Sequence, residues 1–407
     1  MRATSRVLVR GLSAAAVCVL LAASFARGGA SSGTPAMNAP DAAIAAPHVP
    51  MYRLTDLGLS VTPFAINAAG EVTGSGADGD AFRWDGSTFT NLGVRTPGDV
   101  SDGSAINASG EVAGLSSDQN GHYYAVSWTD TTLDDISGGT ISDAYGINGA
   151  GDIVGYTAAP NLRAFIYHAG TLTDLNSEVT GGATTLVLHG AAAINDGGEI
   201  VGSGGIGSNP DHAFLFDAGV VTDLGTLPGG KSSDTSGATA VNAMGHVIGS
   251  SGGTVPGSLT GMFFWDGTMH PIAAVRGFSN DRADAINDSD WVVGRLDYGV
   301  PPQRAFVWPG AGAPVDLNTR VLNLPAGWGL AEATGINDLG QIVGFAVVDV
   351  AGHTHGFLLT PAAVTRLSGP TRFQTAAAIS AHTFPVPGSA DVAYIANAFN
   401  FPDALGG

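Results

Sequence analysis

The sequence predicts an all-β fold, a seven-bladed β-propeller of four-stranded blades closed by an N-terminal strand at residues 52–58, with an incomplete α/β segment at the C-terminus. Three observations predict it. A small residue, then Ile or Val, then Asn recurs seven times, ending at Asn67, Asn107, Asn148, Asn195, Asn242, Asn287 and Asn337. Each copy is followed by a V/I-x-Gly run whose Gly stands seven residues after the Asn, from Gly74 to Gly344. The two ends of the array complement each other. A repeat period of about 40–50 residues is the signature of solenoids and propellers.

Each unit carries four strand signals. The first ends in the triplet. The second is the alternating run, as in Asp152-Ile153-Val154-Gly155, and the third is aromatic, as in Ala81-Phe82-Arg83-Trp84 or Ala213-Phe214-Leu215-Phe216. The fourth resembles Thr173-Asp174-Leu175 or Thr222-Asp223-Leu224-Gly225. Apolar alternation between turn signals argues for strands and against helices.

Asn-x-x-Gly is type I turn chemistry, with Gly in the left-handed position of a bulged hairpin. Gly70, Gly110, Gly151, Gly198, Gly245 and Gly340 fill that slot, and Asp290 takes it in the sixth unit. Asp is among the few other residues that tolerate it. A ring of asparagine ligands is the competing reading. Turn chemistry accounts for the Gly as well, so the asparagines are expected to be structural.

The seventh unit stops after its third strand, at Leu359-Thr360-Pro361, while a fourth-type strand, Tyr52–Gly58, stands alone before the first unit. In a closed ring it completes the last blade, and closure removes sheet edges that invite aggregation. An open solenoid would leave two raw ends.

Residues 1–26 read as a signal peptide: Arg2, Arg6 and Arg10 precede an apolar run from Gly11 to Ala23, and Ser24-Phe25-Ala26 is a small-x-small cleavage site. The run is short for a membrane span, so no stable span is expected after cleavage. Residues 27–51 read as a flexible linker. The single cysteine, Cys18, lies inside the signal, so the exported chain is expected to hold no disulfide. The formal net charge of −19 argues against nucleic acid as a partner.

Short, uniform turns join strands one to two and three to four. The other two connection classes vary in length and share one side of the disc, where binding usually lives. His122, Tyr124, Arg163, His189, His212, Tyr298, Trp328 and His355 lie in or beside them and are the candidate contacts for an unknown glycan or protein. No catalytic residue is assigned. An enzyme would need two carboxylates about 5–10 Å apart. Asp284 could face the centre, but the sequence names no partner for it.

Two catalytic-looking motifs are read as chance in a Gly-rich chain. Gly225–Ser232 fits the phosphate-loop pattern and Gly249–Gly253 the nucleophile elbow. Both motifs require a strand-to-helix turn, which a β-repeat does not offer. No Cys or His metal spacing or complete calcium loop occurs, so no metal or cofactor is expected.

The propeller is expected to span 52–361, and across 52–360 the units resemble the bacterial extracellular HAF repeat family, most closely at Asp211-His212-Ala213-Phe214-Leu215-Phe216 and the following Thr222–Gly230. The resemblance implies an exported protein of unassigned activity. The His recurs only at His355; other units carry Asp80, Tyr124, Arg163, Gly261 or Arg304, which argues against a histidine metal ring.

The last segment, 362–407, resembles over 364–407 part of a cell-wall-binding repeat of type 2, through Arg366, Gly369, Arg372 and Thr375 in Val364–Ala377 and Asp403 in Asn400–Leu405. Arg372 to His382 suits a helix and Val392 to Ala396 a buried strand. That family implies binding to anionic wall polymers of Gram-positive cells by several full copies. The half copy here is expected to come from a longer gene whose complete tail would bind the wall.

Overall fold

The computed structural model describes residues 49–158, 161–183, 185–205, 210–253, 260–272, 281–297, 303–348 and 352–362, all within one compact unit. The expected signal peptide, the expected linker up to residue 48, Tyr298 and the expected wall-repeat segment from residue 363 lie outside the described residues.

Seven antiparallel sheets form the seven blades. Their first strands are Thr62–Ile66, Val100–Ile106, Ser142–Ile147, Val187–Ile194, Thr235–Val241, Arg282–Ile286 and Gly329–Ile336. Consecutive first strands contact one another around the ring, and the seventh contacts the first. They are therefore the inner strands, and the disc is closed.

The closing strand is Tyr52–Leu59, paired antiparallel with the third strand of blade 7, Thr354–Pro361, from Tyr52↔Pro361 to Leu59↔His355. Its outer edge is covered in part: the Tyr52 N–H donates to the Arg320 carbonyl at 2.7 Å, and the Leu322 N–H donates to the Tyr52 carbonyl at 2.8 Å. Blade 4 has a fifth, two-residue strand, Gly181–Gly182, lying parallel to Val220–Gly225. Two connections contain single 3₁₀ turns, Leu175–Glu178 and Leu317–Thr319, each capped by the preceding Asp.

The core lies between blades. Ala81 and Leu92 of blade 1 meet Ile106, Val112 and Trp128 of blade 2. Ala113 and Ala125 of blade 2 meet Ile147 and Phe165 of blade 3, and the pattern continues to the last junction, where Leu57, Val343 and Leu358 meet Val72 and Phe82. Alternation along each strand serves both faces, because each face packs on a neighbour.

The Asn-x-x-Gly hairpins form as expected. In every blade the N–H three residues on donates to the Asn carbonyl, and the Asn N–H donates to the carbonyl four residues on. The glycines take φ between 71° and 86°, and Asp290 takes 60°. The asparagine side chains do more than turn the chain. Asn67 Nδ2 donates to the carbonyl of Asn107 at 3.0 Å, and Asn107 to that of Asn148 at 3.1 Å. Asn195, Asn242, Asn287 and Asn337 do the same to Asn242, Asn287, Asn337 and Asn67. Six of the seven junctions are thus stitched by one bond repeated around the disc. At the remaining one, Asn148 Nδ2 meets Asp152 at 3.1 Å, and the Gly149 N–H donates to Asp196 at 2.6 Å.

Every first strand also carries a bulge three residues before its Asn, at Phe64, Ser104, Tyr145, Ala192, Thr239, Asp284 or Thr334. A bulge re-aims a side chain and tightens the twist. It also explains the Gly seven residues after the Asn. A Cβ on Gly114, Gly155 or Gly294 would lie 1.9 Å from the carbonyl oxygen of Asp102, Asp143 or Arg282, and the other four meet the equivalent carbonyl at 2.0–2.1 Å. That Gly is a strand-interior residue required by the bulge; the sequence had marked it only as the end of a run.

Candidate functional site

The loop-face residues come first. The first or second residue of the third strand and the Asp of the fourth form a repeated clasp. His212 Nδ1 lies 3.0 Å from Asp223, His355 Nδ1 2.9 Å from Asp56, Arg304 2.7 Å from Asp316 and Arg163 3.9 Å from Asp174. The same Asp accepts the N–H two residues on, as Gly225 to Asp223 and Gly58 to Asp56, both at 2.8 Å. The motif His and the motif Asp are one device, and Arg replaces His because either side chain can offer an N–H to the aspartate. In blade 1 the polarity is inverted, with Asn91 donating to Asp80 at 2.9 Å.

The remaining described candidates are held locally too. Arg95 lies 3.7 Å above the Tyr124 ring and pairs with Asp135 at 3.3 Å. His122 pairs with Asp118 at 3.1 Å, and the His122 N–H bonded to that carboxylate holds it below the usual range. His189 pairs with Asp211 at 3.2 Å, and Trp328 packs edge-on to His355. The structure spreads these residues over several blades; among the described candidates it brings Trp328 against His355, and His122 and Tyr124 onto the one Asp118 carboxylate.

Two other places concentrate chemistry. One is an open cleft of about 560 Å³ across blades 4, 5 and 6. Its lining includes Ser203, Asp211, Thr235, Ser250, Thr260 and Asp281, side chains that are small, hydroxylic or acidic. Ser236 and Ser251 also line it, but their oxygens already accept the N–H groups of Ala213 and Leu227. Asp281 accepts the Asp297 N–H at 2.7 Å. Sequence reasoning missed this cleft because its residues have no distinctive type and come from three units.

The other is the axis. The bulged residue is partly or fully exposed in all seven first strands, while the residue before it is buried. Tyr145, 43% exposed, opens furthest toward the axis, whereas the Thr239 and Thr334 hydroxyls turn to carbonyls of the neighbouring blade. Between blades 6 and 7, Arg282 lies 3.0 Å from Asp284 and 3.9 Å from Glu332, and Arg295 holds Glu332 at 2.9 Å. Burial raises the Asp284 pKa against the pull of Arg282, and the Glu332 charge adds to the rise. Asp284 therefore has a carboxylate partner, but shared arginines bind both into one network joining two blades.

Between blades 2 and 3 the balance is different. Asp143 is 6% exposed and its Oδ1 has no hydrogen-bond partner. Burial pushes its pKa up to about 7, with the Asp102 charge adding to the rise and the Tyr145 hydroxyl opposing it. A carboxyl whose folded pKa is raised contributes stability that is present below about pH 4 and lost as pH rises through about 7. Asp143→Asn is expected to remove that loss and make the protein about 1–3 kcal/mol more stable than the parent at pH 8, with little difference at pH 4. Urea unfolding at the two pH values measures it.

Among the described residues, no group of three or more His, Cys, Asp or Glu is placed to hold a metal ion. No family model matches the chain, and no curated protein matches it. Solved structures give distant likenesses. Acylaminoacyl peptidase of Pyrococcus horikoshii is 12% identical over 72% of this chain, which spans 57% of that chain, with a TM-score of 0.36. The fucose-specific lectin of Aleuria aurantia is 12% identical over 76% of this chain and 99% of its own, with a TM-score of 0.33. At such values neither bears on ligand or reaction.

Proposed function

We propose that this chain is an exported, cell-surface binding module of the HAF repeat type, and that its propeller seats a glycan in the cleft across blades 4, 5 and 6. The cleft is the observation that carries the reading. Its volume suits a small ligand, and its mix of hydroxyls and carboxylates suits a polyhydroxylated one. It opens where the connections vary in length, on a scaffold whose inner ring is stitched from blade to blade. The basic and apolar N-terminal segment supports export, and the wall-type motif from Arg366 to Asp403 supports wall attachment through the complete form of the tail.

A carbohydrate-active enzyme is the second reading, and Asp284 with Glu332 is the feature that favours it. Glycoside hydrolysis needs carboxylates facing each other across about 5–10 Å of space that a sugar can enter. Here Arg282 touches both groups and Arg295 holds Glu332, an arrangement suited to joining blades.

The test is a screen of the secreted full chain on a glycan array, followed by calorimetry with Asp211→Ala and Asp281→Ala. Each variant is expected to weaken the best glycan at least fivefold while remaining folded, Asp281→Ala at a somewhat lower midpoint because it also loses the bond to the Asp297 N–H. Absence of any glycan bound by the parent would sink the proposal, as would equal affinity in both variants. Release of reducing ends from a bound glycan would move the assignment to the enzyme.

A further inference from the structure

We infer that the inner ring holds a second site, between blades 2 and 3, that takes an organic ammonium group on Asp102, Asp143, Tyr145 and Tyr156. The inference does not depend on the cleft or its ligand.

Asp102 and Asp143 are equivalent residues, each five before its Asn, on neighbouring inner strands. Blade 7 has Glu332 at the same position, and there two arginines answer the charge. Among the described residues, no lysine, arginine or histidine figures among the groups acting on Asp143. A carboxyl this buried, with a free oxygen and a second acid beside it, either keeps its proton or takes a cation. The ionised form has no cation of the protein's own among the groups acting on it, so it is the form that an outside cation would favour.

The surroundings identify the kind of cation. Tyr145 is the bulge residue of blade 3, so its ring is turned out toward the axis and is 43% exposed on an inner strand. Tyr156 is the cross-strand partner of Asp143, and its ring centroid lies 5.8 Å from that of Tyr145 with the planes tilted by 32°. Both hydroxyls are held in the neutral form, burial being the chief cause. Two acids beside two phenol rings can give an ammonium group both things it binds: acceptors for its N–H bonds or positive charge, and π surface for the carbons attached to nitrogen. A divalent metal ion would ask for about six oxygen ligands, and two carboxylates are too few.

The experiment titrates the full chain with n-butylammonium and with tetramethylammonium chloride, following tyrosine fluorescence and calorimetric heat. Sodium chloride at equal ionic strength and calcium chloride are run alongside. Saturable binding of at least one ammonium ion is expected, with no response to sodium. Asp143→Asn and Tyr145→Leu are each expected to weaken it tenfold or more while keeping the parent's thermal midpoint or a higher one. Should Asp143→Asn fail to fold, Asp102→Asn reads the same charge from the neighbouring strand. No saturable ammonium binding, or binding unchanged in these variants, overturns the inference. So does a calcium response at lower concentration that the same carboxylate variants abolish.

Discussion

Gly294→Ala is expected to destabilise the propeller by about 3 kcal/mol or more, lowering its thermal midpoint by several degrees. The new Cβ would lie 1.9 Å from the Arg282 carbonyl oxygen and 3.0 Å from the Phe306 ring. The oxygen belongs to the backbone of a strand locked between two others, so it cannot swing away as a flexible side-chain end would. Relief requires the bulge to flatten, and the bulge sets the aim of Asp284 toward Arg282. Gly170→Ala is the control. Gly170 has φ of 82° and nothing within 4 Å of a built Cβ, so only backbone strain of about 1 kcal/mol is expected. Differential scanning calorimetry of the two variants separates steric exclusion from strain. Equal midpoints would show that the carbonyl is not what forbids a side chain at position 294.

Deleting residues 52–59 is expected to have the larger effect: loss of cooperative unfolding and aggregation at micromolar concentration. Tyr52 is fully buried and Leu57 nearly so, and Leu54 packs against the same core. Burial of three such side chains is worth about 5–8 kcal/mol, comparable to the whole stability of an ordinary domain. The deletion also strips the third strand of blade 7 of its partner from His355 to Pro361 and leaves a raw edge. Size-exclusion chromatography and near-ultraviolet circular dichroism follow the loss. A peptide spanning residues 49–60, added in excess, is expected to restore the monomer by binding the open edge. A deletion variant that stays monomeric with an unchanged midpoint would show that the ring does not rely on this closure.

The parts of the fold that were legible in the sequence are local or terminal. Hairpin chemistry at Asn67–Gly70 and its copies depends on four consecutive residues, so each copy can be read alone and the blades counted. The orphan strand at Tyr52 was legible because the array lacked one strand at its other end. The bond from one asparagine to the next spans 40–50 residues and leaves no mark beyond the Asn itself. The bulge was hidden because its residue varies from Ala192 to Phe64 to Asp284 with no shared chemistry. The clasp of His212 with Asp223 was visible only as two separate motifs, since nothing in a linear string says that they face each other.

The axial chemistry was hardest to see. Asp284 stood out as an acid near the triplet, but its partners Arg295 and Glu332 lie on two other strands, one of them in the next blade. Asp143 and Tyr145 looked ordinary. Their meaning depends on burial, on a bulge and on the absence of a counter-charge nearby, three properties that only the folded ring reveals.

The stitched asparagines also bear on how such a gene can change. All six bonds run in one sense, every blade but the third donating to the blade that follows and the last to the first. Donor and acceptor belong to the same residue, so each joint is encoded wholly inside the repeat. A duplicated or deleted unit brings its own fastening with it, and its new neighbours need no compensating mutation. The number of blades is then free to drift by whole copies until curvature, rather than any seam-specific residue, decides which count closes.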